Sequence, residues 1–266
     1  MGPRNMRRRW LDVAMPWLVM AGFLLLWQAF VDLFQIQPFV LPSPVAVLQA
    51  YIQFQPTILK EAWYTLLNTL GGFAIGVVCG LALGILVGSS RLAYRGLYPL
   101  LIAFNSVPKV AITPILVLWM GIGPLPAIMT AFLLCFFPVA VNVATGLATS
   151  EPELEDLLRS LGASRLDILR KVGLPRTMPY FFASLKVAIT LAFVGAVIAE
   201  TIASNSGIGY LMLQASSQFR VPLMFAGVSV IAVMGVATYA VFALIEKRLT
   251  GWSTRRNDIQ IQSVGG

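Results

Sequence analysis

Histidine is missing from all 266 residues of this chain, and only two cysteines, Cys79 and Cys135, are present. The first absence removes His-based triads, HExxH zinc sites and imidazole proton shuttles together. The second leaves no disulfide framework and no Cys-rich metal site. Both cysteines fall inside apolar runs, where a thiol serves as a small packing residue. No catalytic group and no metal ligand set is therefore expected. Charge is scarce as well, at 11% of residues against 58% hydrophobic. A soluble domain carries roughly 25% charged residues, and a chain this apolar would expose more hydrocarbon than water tolerates. The dipeptide Gly-Lys never occurs, so the G-x-x-x-x-G-K-[ST] phosphate loop is absent.

What the chain does have is hydrocarbon in long runs. Runs of about 20 apolar residues cross a bilayer as helices, and six are expected, near residues 13–34, 62–88, 97–120, 126–147, 181–202 and 223–245. The fold class is all-α, a polytopic membrane protein. The opening "RNMRRRW" resembles the basic head of a signal peptide, but the apolar part is long and no small-x-small site follows, so a retained first span is expected. Pro38, Pro42 and Pro44 predict an irregular loop leading into a short surface helix. Pro108 and Pro114 predict that the third span is kinked or locally unwound.

Fifteen of the 19 Lys and Arg fall on one face of a six-span topology. They are Arg4, Arg7, Arg8 and Arg9 before the first span, and Arg91 and Arg95 after the second. Arg159, Arg165, Arg170, Lys171 and Arg176 follow the fourth, and Lys247, Arg248, Arg255 and Arg256 follow the sixth. Only Lys60 and Arg220 fall opposite, while Lys109 and Lys186 sit in or beside spans. The positive-inside rule makes the loaded face, with both termini, cytoplasmic. The net charge of +8 is thus topological; no soluble basic domain exists to hold nucleic acid. The expected organisation is a basic N-terminus (1–12), a six-span domain (13–248) with a cytoplasmic loop at 150–177, and a disordered tail (249–266).

Two local patterns stand out. Gly72, Gly76, Gly80, Gly84 and Gly88 recur every four residues, a spacing that lets a neighbouring helix come close, within the subunit or across a dimer. The second pattern is "EDLLRSLGASRLDILRKVGLP", Glu155 to Pro175, where charge is suddenly dense. Ser150 and Glu153 form a capping box with Pro152 in the first turn. Leu154, Leu157, Leu158 and Leu161 make one apolar face, Gly162 allows a sharp bend, and Ser164 with Asp167 caps a second helix through Leu166, Leu169 and Val172. Pro175 and Pro179 are expected to end it. The result is a helix-turn-helix with an apolar underside and a charged rim.

The spacing Asp156…Gly162…Val172-Gly-Leu-Pro175 resembles the EAA loop of permease subunits in binding-protein-dependent ABC importers, with Asp156-Leu157-Leu158 in place of Glu-Ala-Ala. "LPSPVAVLQA", "TLLNTLGGFAIGVVCGLALGILVG", "SVPKVAITPILVLWMGIG", "FFPVAVNVATG" and "VIAETIASNSGIGYLM" extend the resemblance over nearly the whole chain, to the sulfonate, nitrate, taurine and thiamine-precursor branch. Many members carry Arg where this chain has Asn68, so any role of that Arg does not transfer. The resemblance implies the type I permease fold and a loop that couples to an ATPase, here Asp156, Gly162, Ala163, Ser164, Arg165, Leu174 and Pro175. It also implies two ABC ATPase subunits carrying ATP and magnesium, a second copy of the chain, a periplasmic or extracellular solute-binding protein, surrounding membrane lipid and the bacterial inner membrane. The chain itself would hold no cofactor and pass a small solute, anions among the candidates.

Polar groups within spans are candidates for the path. Lys109 would attract an anion or snorkel to the interface; Lys186, near the start of its span, would snorkel. Glu200 would line an outer gate or cap the re-entrant segment behind it. Asn105 and Asn142 would face the cavity or bond between helices. Two rivals remain: a self-sufficient secondary transporter, which needs internal inverted repeats that are not visible, and an intramembrane enzyme, which needs catalytic groups that are missing.

Overall fold

The structure, a computed structural model, describes residues 3–149, 157, 158 and 160–249. Its helices are α1 (Pro3–Leu33), α2 (Pro44–Gln53), α3 (Gln55–Gly88), α4 (Arg91–Ser106), α5 (Thr113–Met120), α6 (Pro124–Ala148), α7 (Leu174–Ala203), α8 (Ile208–Ser217) and α9 (Val221–Leu249). No strand occurs among the described residues. Five helices, α1, α3, α6, α7 with its lead-in, and α9, are long and apolar enough to cross a membrane, and α4 with α5 forms a bent pair that makes a sixth. The Ser150–Glu153 capping box, Asp156 and the tail lie outside the described residues.

The third span breaks where its prolines require. Val107, the residue before Pro108, is extended at φ −68° and ψ 130°, as the proline ring demands of its neighbour. A 3-10 turn (Lys109–Ile112) follows, and Pro114 opens α5 in its first turn, where a missing N–H costs nothing. The pair is bent by 72°. α2 begins equally clearly: the Ser43 hydroxyl accepts from the Ala46 N–H at 3.2 Å, with Pro44 next to it.

Two compact units divide the chain. One comprises the described residues up to Leu59 and Leu211–Ser229, so it contains α1, α2, most of α8 and the first turns of α9. Within it the Trp27 and Phe225 rings meet at 6.1 Å between α1 and α9.

The other unit, Lys60–Tyr210 and the rest of α9 from Val230, is centred on α6. Ala131, Cys135, Val139, Val143 and Leu147 form one buried row along α6, packed with Phe182, Leu185, Ile189, Phe193 and Ala196 of α7. α6 and α7 run antiparallel, since Gly146 abuts Thr177 and Tyr180 while Gly195 abuts Thr130 and Ala131. α3 runs parallel to α6, with its glycines laid against that same row. A methyl on Gly80 would stand 2.8 Å from the Phe136 carbonyl oxygen and 2.9 Å from Val139 Cβ; one on Gly88 would stand 2.8 Å from Leu147 Cβ. The stripe therefore meets α6 of its own chain. Lipid gives no hydrophobic drive, so close backbone approach is what such helices gain. Cys135 is buried in this seam, with its thiol directed at the Gly72 carbonyl at 3.6 Å. Cys79 is exposed, so the packing role expected of both cysteines belongs to Cys135 alone.

Candidate functional site

These helix directions put the α3 and α6 C-termini and the charged loop at one end of the second unit. Leu157, Leu158 and Ser160 are helical, and the Ala163 N–H donates back to the Leu158 carbonyl at 3.0 Å across Gly162. Gly162 has φ +85°, the left-handed conformation that ends a helix with such a six-residue closure. The Ser164 hydroxyl accepts from the Asp167 N–H at 3.2 Å and donates to the Asp167 carboxylate. Lys171 lies 3.8 Å from that carboxylate, both side chains being well exposed.

One expectation fails here. Pro175 and Pro179 do not end the second helix. Arg165–Ile168 leads through a π turn, Leu169–Gly173, directly into α7, with Pro175 in its first turn and Pro179 inside it. The Leu174 N–H reaches five residues back to Leu169, and this wider ring takes up the mismatch that proline's missing donor would otherwise create. The Thr177 hydroxyl donates to the Gly173 carbonyl at 2.8 Å. The loop and the span that follows it are thus one rod with a wide turn in it.

At the α4–α5 break the structure brings Asn105 and Lys109 together. The Lys109 ammonium donates to the Asn105 carbonyl, to Asn105 Oδ1 at 3.0 Å and, more weakly, to the Val107 carbonyl at 3.4 Å; it also sits 4.8 Å from the centre of the Phe137 ring. An ammonium has three protons, and these oxygens account for them. Lys109 closes the carbonyl end of α4, the position where a cation also opposes the helix dipole. Asn142 does not join this pair: its amide donates to the Pro138 carbonyl at 2.8 Å, one turn back on α6. Lys186 pairs with Glu246 of α9 at 2.6 Å, both side chains largely covered. Its sequence gave no sign of that partner.

The densest polar cluster surrounds Glu200, at the opposite end of α7. Glu200 is fully buried. It accepts from the Thr65 hydroxyl at 2.8 Å, the Asn68 amide at 3.0 Å and the Gly209 N–H at 3.2 Å. The Ile208 N–H donates to Thr65 Oγ1 at 2.8 Å and the Gly207 N–H to Glu61 at 2.6 Å. Three successive N–H groups at the start of α8 are thus taken by side chains of α3 and α7. A helix leaves its first N–H groups without intrahelical partners, and carboxylates suit that end of its dipole. Gly207 has φ +101°, and a methyl there would overlap the Glu200 carboxyl group. Glu200 therefore caps the segment behind it. The glycine turn behind Glu200, at Gly207, is marked in the sequence, but Glu61 and Thr65 were not singled out, because their partners lie more than 130 residues away.

Five helices of membrane-crossing length, with a bent pair that makes a sixth, are the described elements of a polytopic membrane protein. The architecture matches a chain of the structure titled "Inward facing conformations of the MetNI methionine ABC transporter", with TM-score 0.61 at 21% identity, over 70% of this chain and 93% of that one. Residues 76–251 match the family described as "Binding-protein-dependent transport system inner membrane component". Among similar proteins are the formylaminopyrimidine transport permease protein ThiX of Halalkalibacterium halodurans and the putative aliphatic sulfonates transport permease protein SsuC of Bacillus subtilis. ThiX is 30% identical over 83% of this chain and 88% of its own; SsuC is 30% identical over 88% and 86%. The chain belongs to the family of binding-protein-dependent transport permeases. It is a multi-pass membrane subunit of an ABC importer.

Proposed function

We propose that this permease is driven by ATP and magnesium on separate ATPase subunits that dock on the loop around Gly162, Ala163, Ser164, Arg165, Leu174 and Pro175. In this reading Asp156 belongs to the same loop. Two copies of the chain would line the path, a solute-binding protein would deliver the solute from outside, and the basic face would be cytoplasmic in the bacterial inner membrane. The observation that carries the reading is the uninterrupted helix from Arg165 to Ala203. A push on the loop moves α7 bodily, and α7 is packed along α6, so a rigid-body step needs no further linkage. The charged rim beside an αL glycine offers a partner a fixed docking shape.

The solute is small and is not selected by a fixed charge at Lys109. Relatives of equal identity are named for a formylaminopyrimidine and for aliphatic sulfonates, and the Lys109 protons are already engaged. Co-purification with the ATPase, followed by uptake in vesicles with wild type and Lys109→Met, tests both parts. Retained ATPase and near-normal uptake at matched expression are expected, together with a melting point lowered in keeping with the loss of a helix cap worth about 1 kcal/mol. Absence of an ATPase from the purified protein would overturn the first part. Abolished uptake with unchanged stability would return Lys109 to solute recognition.

A further inference from the structure

The first unit contains a cleft of about 400 Å3 lined by Leu24 and Trp27 of α1, Val45, Val47 and Tyr51 of α2, and Ala226 and Ser229 of α9. The size is that of a small-ligand site, and the lining is almost wholly apolar. Depth narrows the choice of occupant. Trp27 and Leu24 lie six and nine residues before the end of α1 at Leu33, and Ala226 and Ser229 lie six and nine residues after Arg220, the residue that precedes α9. At a rise of 1.5 Å per residue both helices put the lining about 9–14 Å inside their ends. In a hydrocarbon core about 30 Å thick that is the acyl region of one leaflet.

Two further features point to a lipid. Several of its own lining residues, Leu24, Val45 and Leu48, are exposed, so the cleft opens outward, and the neighbouring Leu25 and Leu26 of α1 are uncovered as well. At its polar level stands Arg220, exposed, with its guanidinium 5.9 Å from the ring centre of Phe54 at the end of α2. We propose that this cleft holds one acyl chain of a bilayer phospholipid whose phosphate lies against Arg220. A headgroup anion at that height meets a fixed cation, and the tail below it meets Leu24, Trp27 and Ala226. The long helices of α1 and α9 leave no polar backbone for the tail to face.

The test uses the purified transporter complex in vesicles of phosphatidylethanolamine and phosphatidylglycerol. A trace of phosphatidylglycerol carries a photoreactive diazirine in its acyl chain, and the label is mapped by peptide mass. Label concentrated at the individual residues Leu24, Trp27, Ala226 and Ser229, above that at outward-facing Leu25 and Leu26, is the expected result. Ser229→Phe and, independently, Val45→Trp fill the cleft from exposed positions and should lose the concentrated label at unchanged melting temperature. Arg220→Gln should keep the tail label and lose the preference for phosphatidylglycerol over a phosphatidylcholine probe of equal tail length. Cleft label no heavier than the outward label, or unaltered by both filling variants, overturns the proposal. So does a disulfide between two copies formed through Ser229→Cys, which would show that protein covers the cleft.

Discussion

Truncating Glu200 to alanine strips the acceptor from three buried donors at once: the Thr65 hydroxyl, the Asn68 amide and the Gly209 N–H. Each buried donor left unpaired costs about 1–3 kcal/mol. Thr65 and Asn68 sit on a helix and recover part of that by turning to carbonyls of their own turn, so the sum is about 3–5 kcal/mol rather than the upper bound. Glu200→Gln is the informative companion. Its amide oxygen takes over the Thr65 and Gly209 bonds, and its NH2 faces Asn68, whose side chain can turn its own oxygen inward. Every donor is then matched again, and the cost drops to about 1 kcal/mol or less. The expected order of thermal stability in detergent is wild type, then Gln close below, then Ala far below. Limited proteolysis between Ser204 and Gly207 should rise in the same order. Wild-type stability in the Ala variant would refute the hydrogen-bonded cap. A Gln variant as damaged as Ala would show that the negative charge itself is needed, which the capping role does not require.

Three further outcomes are expected. Gly80→Leu drives a branched side chain into the Phe136 carbonyl and Val139 and should cost about 3 kcal/mol or more in assembly; unchanged yield and melting would show that α3 does not lie there. Gly162 has open space around it but φ +85°, so Gly162→Val is penalised by about 1–3 kcal/mol through backbone conformation alone, whereas Gly162→Asn is tolerated. ATPase co-purification should fall in the first and persist in the second; equal retention would remove the loop from docking. Lys186→Glu and Glu246→Lys should each lower the melting temperature, and the double exchange should recover much of the loss, whereas strictly additive losses would deny the 2.6 Å pair any energetic coupling.

Periodicity and proline chemistry were legible in the sequence because they act locally. The five glycines on α3, the break between Pro108 and Pro114, the Ser164 cap and the turn at Gly162 each follow from residues within a few positions of one another. Pro175 misled for the same reason: a local rule reads it as a stop, and only a π turn reaching back from Leu174 to Leu169 lets the helix absorb it. The clamp on α8 was out of reach. Glu61, Thr65 and Asn68 do share one face of α3 at i, i+4 and i+7, but nothing local ties that polar face to Glu200, and their meeting depends on how α3 and α7 pack. Glu246 stayed hidden from Lys186 likewise. Cys79 and Cys135 look alike in their runs, yet only one faces a neighbouring helix.

The contact between α3 and α6 keeps a single offset along its length. Gly72, Gly76, Gly80, Gly84 and Gly88 meet Ala131, Cys135, Val139, Val143 and Leu147, each 59 positions further on. Such a ratchet has no intermediate notch. To slide, one helix must advance a full four-residue tooth, about 6 Å, and lift every glycine over a side chain on the way. Small strokes are blocked, so this pair travels as one plank while the transporter cycles. The compliance that a transport stroke needs is left to the place where the helical ladder is broken outright, the 72° bend after α4.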